Sequence, residues 1–189
     1  NALAFSIAIS LLSVPLFLMV SPLIMVLGVV AWTYYVLFYS IYLKRRTPQN
    51  IVVGGAAGAF PPLIGWAAVT GSIDLSAISL FLIVFFWTPP HAYALMLMLK
   101  EDYQRASVPM LPVVRGDRET CRQIILYGVA LLAVTAMPAA LGLFGLLYLA
   151  TAIFLGVILL ALAIKLYYSP ERMWALRLFR YSSLYLALL

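Results

Sequence analysis

The sequence predicts an all-α, polytopic membrane protein, and three observations support this prediction. Of the 189 residues, 66% are hydrophobic and only 10% are charged, whereas a soluble domain has roughly 25% charged residues. Apolar segments recur along the chain, and about 20 apolar residues are enough to cross the hydrocarbon core of a bilayer. The alternating strands of about ten residues that build a membrane β-barrel are absent from the sequence. A bundle of transmembrane helices is therefore expected.

Seven helices are predicted, and prolines, glycines and charged residues mark their ends. Ser21-Pro22 forms a minimal turn after the first helix, and a turn with two glycines at 142–145 separates the fifth helix from the sixth. Ser169-Pro170-Glu171 has the signature of a helix N-terminus, and a short amphipathic piece through Arg180 leads from there into the last helix. The predicted helices cover about 2–20, 23–43, 51–69, 76–99, 123–141, 146–168 and 178–189.

Prolines and glycines inside these helices predict distortions and close contacts. Proline removes a backbone donor and clashes with the preceding turn, so Pro15 predicts a kink in the first helix. For the same reason Pro61-Pro62 and Pro89-Pro90 predict breaks in the third and fourth helices. Small residues let two helices approach closely, and the third helix opens with three glycines, Gly54, Gly55 and Gly58.

The charged residues predict the orientation of the bundle. The net charge is +6, and Lys and Arg cluster in every second connection. Because cytoplasmic loops carry the excess of Lys and Arg, the connections after the second, fourth and sixth helices are expected to be cytoplasmic. Nucleic acid is not an expected partner. Cys121 is the only cysteine, which excludes an intrachain disulfide. The chain begins and ends within apolar segments, so we expect one transmembrane domain, 1–189, truncated at both ends.

The segment 99–119 is the most polar part of the chain and the first candidate site. It holds four of the six acidic residues. Carboxylate oxygens suit Mg²⁺, usually together with substrate phosphates and water, so Glu101 and Asp102 are candidate metal ligands. The alternative is an ordinary solvated loop beside a membrane helix. Tyr103 and the run 108–112 are too apolar for a free loop and are expected to pack back onto the protein.

The basic triplet Lys44-Arg45-Arg46 is the second candidate. A basic triplet next to a membrane helix can simply set topology or meet anionic lipid. It is expected on the same side as the carboxylates, however, and basic residues opposite a carboxylate–metal site form a diphosphate clamp. Asn50 would add a side-chain amide at the start of the third helix.

His91, the only histidine, is the third candidate. An ionisable group at membrane depth is a functional candidate by default. If the helix resumes after Pro90, His91 and Asp102 share one face and lie about 16 Å apart, at about 1.5 Å per residue. The alternative is a buried histidine bonded to a neighbouring carbonyl. The aromatic residues of the second helix, together with Met96, Met98 and Met110, either line an apolar cavity or pack in the core and against lipid.

Four sequence motifs resemble one known family. They are Lys44-Arg-Arg-Thr-Pro-Gln-Asn50, the run from Gly54 to Gly65, Trp87-Thr-Pro-Pro-His91, and Asp102-Tyr103 followed by Val108-Pro-Met-Leu-Pro-Val-Val-Arg-Gly116. Together they are similar to the UbiA-type intramembrane prenyltransferases, and within these to the branch that acts on heme, the protoheme IX farnesyltransferases. The similarity extends over the whole chain and implies that it covers about seven of the family's nine helices.

The resemblance implies a reaction and a set of site residues. The reaction is transfer of a farnesyl group from farnesyl diphosphate to a vinyl group of heme B, which gives heme O, with Mg²⁺ on the diphosphate. Asp102 is similar to an acid of the family's second Asp-rich motif, with Glu101 and Tyr103 beside it as catalytic candidates. The diphosphate contacts implied are Lys44, Arg45, Arg46 and Asn50, and His91 is implied as a heme contact.

The resemblance also sets expectations for the setting of the protein. The first Asp-rich motif of the family is missing here, so the chain as given is expected to be inactive. A bacterial plasma membrane is the expected location, with the lipid bilayer and heme A synthase or terminal oxidase assembly as partners. Two alternatives stay open from the residues: a related enzyme acting on a quinone precursor, and a transporter whose broken helices frame a substrate path.

Overall fold

The computed structural model describes residues 2–189, with side chains from Ala4 onward, and the regular elements in that range are helical. Four long helices meet around one core, and shorter helices form the polar segment between two of them. The helices are α1 (Ala2–Val20), α2 (Pro22–Thr33) continuing into a π-helix (Tyr34–Leu43), α3 (Asn50–Thr70), α4 (Leu75–Met98), α5 (Lys100–Arg105), α6 (Leu111–Val114), α7 (Gly116–Thr135), α8 (Met137–Ala140), α9 (Leu146–Tyr168) and α10 (Arg172–Leu188).

Helix α4 is the centre of the bundle. It contacts α3, α7 and α10, and α9 packs against both α7 and α10. The larger hydrophobic core lies among α4, α7, α9 and α10 and includes the fully buried residues Tyr93, Ile124, Ala163 and Leu178. A smaller core joins α2 and α3 to the start of α4. The prediction of an all-α bundle is confirmed.

Five helical segments of the described chain are long and apolar enough to cross a membrane. The apolar helix Ala4–Val20 within α1 is shorter, and α10 carries three arginines along its length. The sequence predicted seven helices that cross the membrane. Five segments of the described chain have the length and composition of a membrane span. The five segments are Pro22–Leu43, Asn50–Thr70, Leu75–Met98, Gly116–Ala140 and Leu146–Tyr168.

The prolines of α3 and α4 do not break these helices. Pro61 and Pro62 lie inside the continuous α3, and Pro89 and Pro90 inside the continuous α4. The predicted breaks are therefore wrong. Transmembrane helices tolerate proline when neighbouring helices and hydroxyl side chains satisfy the freed backbone groups.

The predicted boundaries around the polar segment also need correction. Most of 99–119 was predicted as a loop, but α5 and α6 lie within it, and α7 begins at Gly116 instead of about residue 123. Arg118, Glu119 and Arg122 in the first turns of α7 are charged but form helices well, so their polarity does not end the helix. After α9, the N-cap position is Glu171 and not Ser169, and a single helix, α10, runs from Arg172 to Leu188.

Glycine makes two of the three predicted close approaches in α3. A side chain at Gly54 would collide with the ring of Tyr39 from the π-helix, and one at Gly55 would press on the Thr88 side chain at 3.2 Å. Gly58 has open space in place of a neighbour, so the prediction is wrong for that residue. The first two glycines thus set the distance of α3 from the π-helix and from α4.

Candidate functional site

The acidic pair of the candidate site lies on the short helix α5. Leu99 separates α5 from α4 with backbone angles of φ −107° and ψ 18°, so His91 and Asp102 do not share one continuous helix as predicted. Glu101 and Asp102 are both exposed, and each pairs loosely with Arg105, at 3.4 Å and 3.9 Å. Exposed pairs of this kind contribute little, which leaves both carboxylates free to bind a stronger cation.

A cavity of about 430 Å³ opens between α5 and the connection from α9 to α10. Glu101 and Asp102 form one polar wall with Lys100 and Arg105, and the facing wall has a charged pair from the start of α10. Its floor is apolar, from Leu97, Met98, Leu166 and Ala175. Such a lining offers carboxylates for a cation and guanidinium groups for an anion. The facing pair is Glu171 and Arg172.

The other two acids of the polar segment have different partners. Asp117 pairs with Lys100, and Glu119 accepts a hydrogen bond from Gln123 Nε2 at 2.8 Å. Arg122 lies 3.6 Å from the same carboxylate of Glu119. The four acids therefore separate into a cavity pair and a pair that fixes local structure.

The apolar part of the segment packs back onto the protein, as predicted. Met110 and Leu111 are 2% and 3% exposed, and both belong to the larger core. Tyr103 is half-buried against the same core, and its carbonyl accepts the backbone N–H of Val108 at 3.0 Å. Tyr103 thus anchors α5 next to the two carboxylates.

The structure does not place the basic triplet in this cavity. Lys44, Arg45 and Arg46 are exposed on the turn between the π-helix and α3, and the cavity is lined by other residues. Arg46 lies over the ring of Tyr42 at 4.3 Å, a cation–π contact. The predicted clamp of this triplet facing the carboxylates therefore has no counterpart in the cavity, and its role in binding diphosphate stays a prediction.

Asn50 is fully buried and holds this turn together. Its Nδ2 donates to the backbone carbonyl of Lys44 at 3.1 Å. Its Oδ1 is buried and has no hydrogen-bond partner among the described residues. One amide N–H is thus committed to the turn, and the buried oxygen can only accept. A direct contact of Asn50 with diphosphate, which also only accepts, would have to use the second N–H.

His91 lies on α4, half-buried against α10. Its imidazole stacks on Trp87 at 4.3 Å and on Phe179 at 4.5 Å, measured between ring centroids. Its Nδ1 lies 2.8 Å from Ser182 Oγ. The alternative from the sequence was a buried histidine bonded to a neighbouring carbonyl. On α10, the imidazole lies within hydrogen-bonding reach of both the Phe179 carbonyl and the Ser182 hydroxyl.

Sequence reasoning missed the contribution of α10. Glu171 was interpreted only as part of a helix N-terminus and Arg172 only as a topology marker, and Ser182 and Phe179 were not considered. The spacing of Trp87 and His91, four residues apart on one helix face, was a usable signal for a stacked pair. A hydroxyl in an apolar helix, such as Ser182, was a second signal, since such a group needs a partner.

The sequence of the chain was compared with the profiles of known protein families, and one family matches it. The sequence profile of the UbiA prenyltransferase family matches residues 1–186. The chain belongs to the UbiA prenyltransferase family. UbiA prenyltransferases use a divalent metal with the diphosphate of their substrate.

Curated members of the UbiA family include relatives named protoheme IX farnesyltransferase. The one from Roseiflexus sp. (strain RS-1) is 52% identical over 190 residues, which is 100% of this chain and 36% of the relative. That of Thermus thermophilus is 55% identical over 86% of this chain and 27% of its own length. That of Alkalilimnicola ehrlichii is 54% identical over 89% of this chain and 56% of its own length. The chain thus spans between a quarter and three fifths of these relatives.

A solved structure shares the UbiA fold seen here. It comes from work on digeranylgeranylglyceryl phosphate synthase in membranes, and it superposes with a TM-score of 0.82 over 98% of this chain and 65% of that chain. The sequence identity is 18%, so this similarity concerns the fold alone.

The described residues fit part of a UbiA metal site. Glu101 and Asp102 have oxygen donors, exposed and only loosely paired, as a hard divalent cation requires. Among residues 4–189, no group of three or more His, Cys, Asp or Glu side chains could hold a metal. One or two carboxylates completed by substrate phosphates and water are the usual way to bind Mg²⁺, and the pair on α5 suits that arrangement.

Proposed function

We propose that the protein transfers the farnesyl group of farnesyl diphosphate to a vinyl group of heme B and so makes heme O. The observation that supports this most directly is the similarity, at 52–55% identity over most of the chain, to relatives named protoheme IX farnesyltransferase. The carboxylates of α5 beside a cavity and the single histidine at membrane depth agree with it. The chain spans only part of those relatives, so the activity is a proposal for the full-length protein.

The residues of α5 and α10 would act on the diphosphate. Glu101 and Asp102 would hold Mg²⁺, which would neutralise the charge that develops on the leaving diphosphate. Arg105 and Arg172, which line the same cavity, would donate hydrogen bonds to phosphate oxygens. Lys44 and Arg45 would approach the diphosphate from the turn before α3. Tyr103 would hold α5 in place through its packing on the core.

The apolar bundle would protect the reacting carbon. When the allylic carbon–oxygen bond breaks, diphosphate leaves with the bonding electrons, and a vinyl carbon of heme attacks the farnesyl carbon. Water then adds to the other carbon of the same vinyl group and releases a proton, which gives a hydroxyethylfarnesyl group. A dry cavity delays the water until the carbon–carbon bond has formed. His91 would contact the heme, on the evidence of its depth and its distance along the chain from the carboxylates.

The location and partners are part of this proposal. The basic connections would face the cytoplasm of a bacterial plasma membrane, where farnesyl diphosphate and the cation are available. Heme O would pass to heme A synthase or to the assembly of a terminal oxidase. The lipid bilayer would surround the apolar faces of the spanning helices.

One assay tests the proposal against its alternatives. Full-length protein in lipid nanodiscs is incubated with heme B, labelled farnesyl diphosphate and Mg²⁺, and the products are identified by mass spectrometry. A heme adduct heavier by one farnesyl group and one hydroxyl group is expected. Label on an added aromatic quinone precursor, with none on heme, would contradict the heme assignment and favour the related enzyme class. Label that remains as intact diphosphate would contradict an enzyme of either kind.

A further inference from the structure

The hydroxyl of Ser182 connects two groups in the interior of the bundle. Ser182 is fully buried on α10. Its Oγ lies 2.7 Å from the backbone carbonyl of Phe179 and 2.8 Å from Nδ1 of His91. The backbone carbonyl of Ser182 in turn accepts the indole N–H of Trp87 at 2.6 Å. These bonds join α4 and α10 at the level of the histidine.

The donors and acceptors around Ser182 favour one ring nitrogen of His91 as the site of the proton. The carbonyl of Phe179 can only accept, and Ser182 Oγ lies 2.7 Å from it, so this carbonyl attracts the single hydroxyl hydrogen of Ser182. With that hydrogen donated to Phe179, Ser182 Oγ accepts from His91, and Nδ1 carries the proton. A neutral imidazole carries one N–H. Its Nε2 therefore keeps a lone pair.

The two neighbouring rings determine how that lone pair can be reached. Trp87 and Phe179 both stack nearly parallel to the imidazole, with interplanar angles of 19° and 27°. One face of an imidazole has no room for two rings at these distances, so they cover opposite faces. A ligand could then approach His91 only in the plane of its ring. In that plane, Nε2 is the nitrogen that does not contact Ser182.

We propose that Ser182 is a positioning residue that holds neutral His91 as the Nδ1–H tautomer, so that Nε2 can bind the iron of a heme. Imidazole nitrogens that bind metals commonly depend on a hydrogen bond at the other ring nitrogen, which fixes tautomer and orientation. The part that concerns heme rests on the proposed function. The part that concerns the tautomer involves only hydrogen bonds within the chain and does not depend on heme.

Nitrogen-15 NMR of the imidazole tests the tautomer directly. Full-length protein is labelled at histidine, placed in nanodiscs, and compared with His91→Gln to identify the signals of His91. Without heme, a proton on Nδ1 is expected in the unaltered protein, whereas free histidine favours the proton on Nε2. A proton on Nε2 in the unaltered protein would overturn the inference, and this result needs no folded variant of Ser182.

A matched pair of serines separates positioning from packing. Ser183 is the next residue and also donates to the Phe179 carbonyl, at 3.4 Å, but it is exposed and does not contact His91. Ser182→Ala should move the proton to Nε2, and Ser183→Ala should leave it on Nδ1. Ser182→Thr, which keeps the hydroxyl, should behave like the unaltered protein. Equal tautomers in the two alanine variants would overturn the role of Ser182.

Heme titrations of the same proteins test the iron contact. Outer hydrogen-bond partners of metal ligands are typically worth about 10–100-fold in affinity, so Ser182→Ala should weaken heme binding about tenfold or more and shift the heme absorption spectrum. Ser183→Ala should change neither. Unchanged heme binding in both Ser182→Ala and His91→Ala would overturn the inference. If the unaltered protein still farnesylates heme in that case, the proposed function stands, whereas no farnesylation would contradict the function itself.

Discussion

Lys100 Nζ lies 2.7 Å from Asp117 Oδ1 and ties the start of α5 to the first turn of α7. The two side chains are 36% and 40% exposed, so the pair is partly shielded from water. The residues between them form the apolar return that packs on the core through Met110 and Leu111. The polar segment is therefore closed at both ends by one ion pair, and the carboxylates of the cavity, Glu101 and Asp102, directly follow Lys100 within the closed segment.

Breaking this pair should loosen the segment slightly. Surface ion pairs contribute about 0.2–1 kcal/mol, and a value near the upper end is expected because both groups are partly buried. Lys100→Met, Asp117→Asn and the double variant form a double-mutant cycle, read out by thermal unfolding in detergent. A coupling free energy of zero would show that the pair does not brace the segment.

Asp102→Asn should remove turnover while leaving stability unchanged. The change removes one negative charge from the cavity and almost no volume. If Asp102 holds the metal, turnover should fall by at least about 100-fold, which is about 2.7 kcal/mol of transition-state stabilisation. Glu119→Gln, which removes a charge outside the cavity, is the matched control and should remain active. Normal turnover of purified Asp102→Asn would rule out this role.

Gly54→Ala should destabilise the protein, whereas Gly58→Ala should not. A methyl group at Gly54 would meet the ring of Tyr39, but at Gly58 it would meet no atom within 4 Å. Forcing extra volume into a packed contact costs typically about 1–3 kcal/mol, while Gly→Ala in a helix is otherwise favourable by about 1 kcal/mol. Thermal unfolding of both variants tests the contrast. Recovery in Gly54→Ala/Tyr39→Leu would identify the ring as the cause.

Replacement of Asn50 should loosen the basic turn, because Asn50 Nδ2 donates a hydrogen bond to the backbone carbonyl of Lys44. Asn50→Ala removes the donor to the Lys44 carbonyl and leaves that carbonyl without it, at a cost of about 1–3 kcal/mol. Asn50→Asp should cost more, because it places a buried carboxylate against a carbonyl oxygen. Protection of the 44–50 backbone in hydrogen exchange should fall in both variants. Equal protection in Asn50→Asp and the unaltered protein would contradict this bracing role.

The three basic connections should lie on one side of the membrane. Single cysteines at Gln49, Asp117 and Glu171, in a Cys121→Ser background, are labelled with a membrane-impermeant reagent in right-side-out and inverted vesicles. The same sidedness is expected at all three positions, because cytoplasmic loops carry the excess of Lys and Arg. One position labelled from the opposite side would refute the orientation.

The sequence predicted the helical elements better than their continuity. The C-terminal end of α1 follows from Ser21-Pro22, and the start of α9 follows from the turn at 142–145. The breaks at Pro61-Pro62 and Pro89-Pro90 were wrong because neighbouring helices supply what an isolated helix with proline lacks. The start of α7 was placed late because charge was taken as a sign of a loop, although Glu119 and Arg118 suit a helix.

Within the candidate site, local assignments succeeded and distant ones did not. The apolar return after Tyr103 packs on the core as its composition indicated. The facing wall of the cavity, Glu171 and Arg172, comes from a helix about seventy residues further on, and no local pattern connects it to α5. The bond of His91 to Ser182 spans 91 residues. Such pairings depend on how helices pack and are invisible to periodicity.

The π-helix Tyr34–Leu43 has a consequence for any map of this chain drawn by helical wheel. Its hydrogen bonds join residues five apart, as in Lys44 N–H to the Tyr39 carbonyl at 2.9 Å, so each turn holds more residues than an α-helix. Ten residues wound in this way accumulate an angular offset. The basic triplet therefore points in a different direction around the helix axis than it would if a regular α-helix ran from Pro22 to Leu43. A one-residue deletion in the π-helix would turn the triplet about the helix axis without touching a single charge.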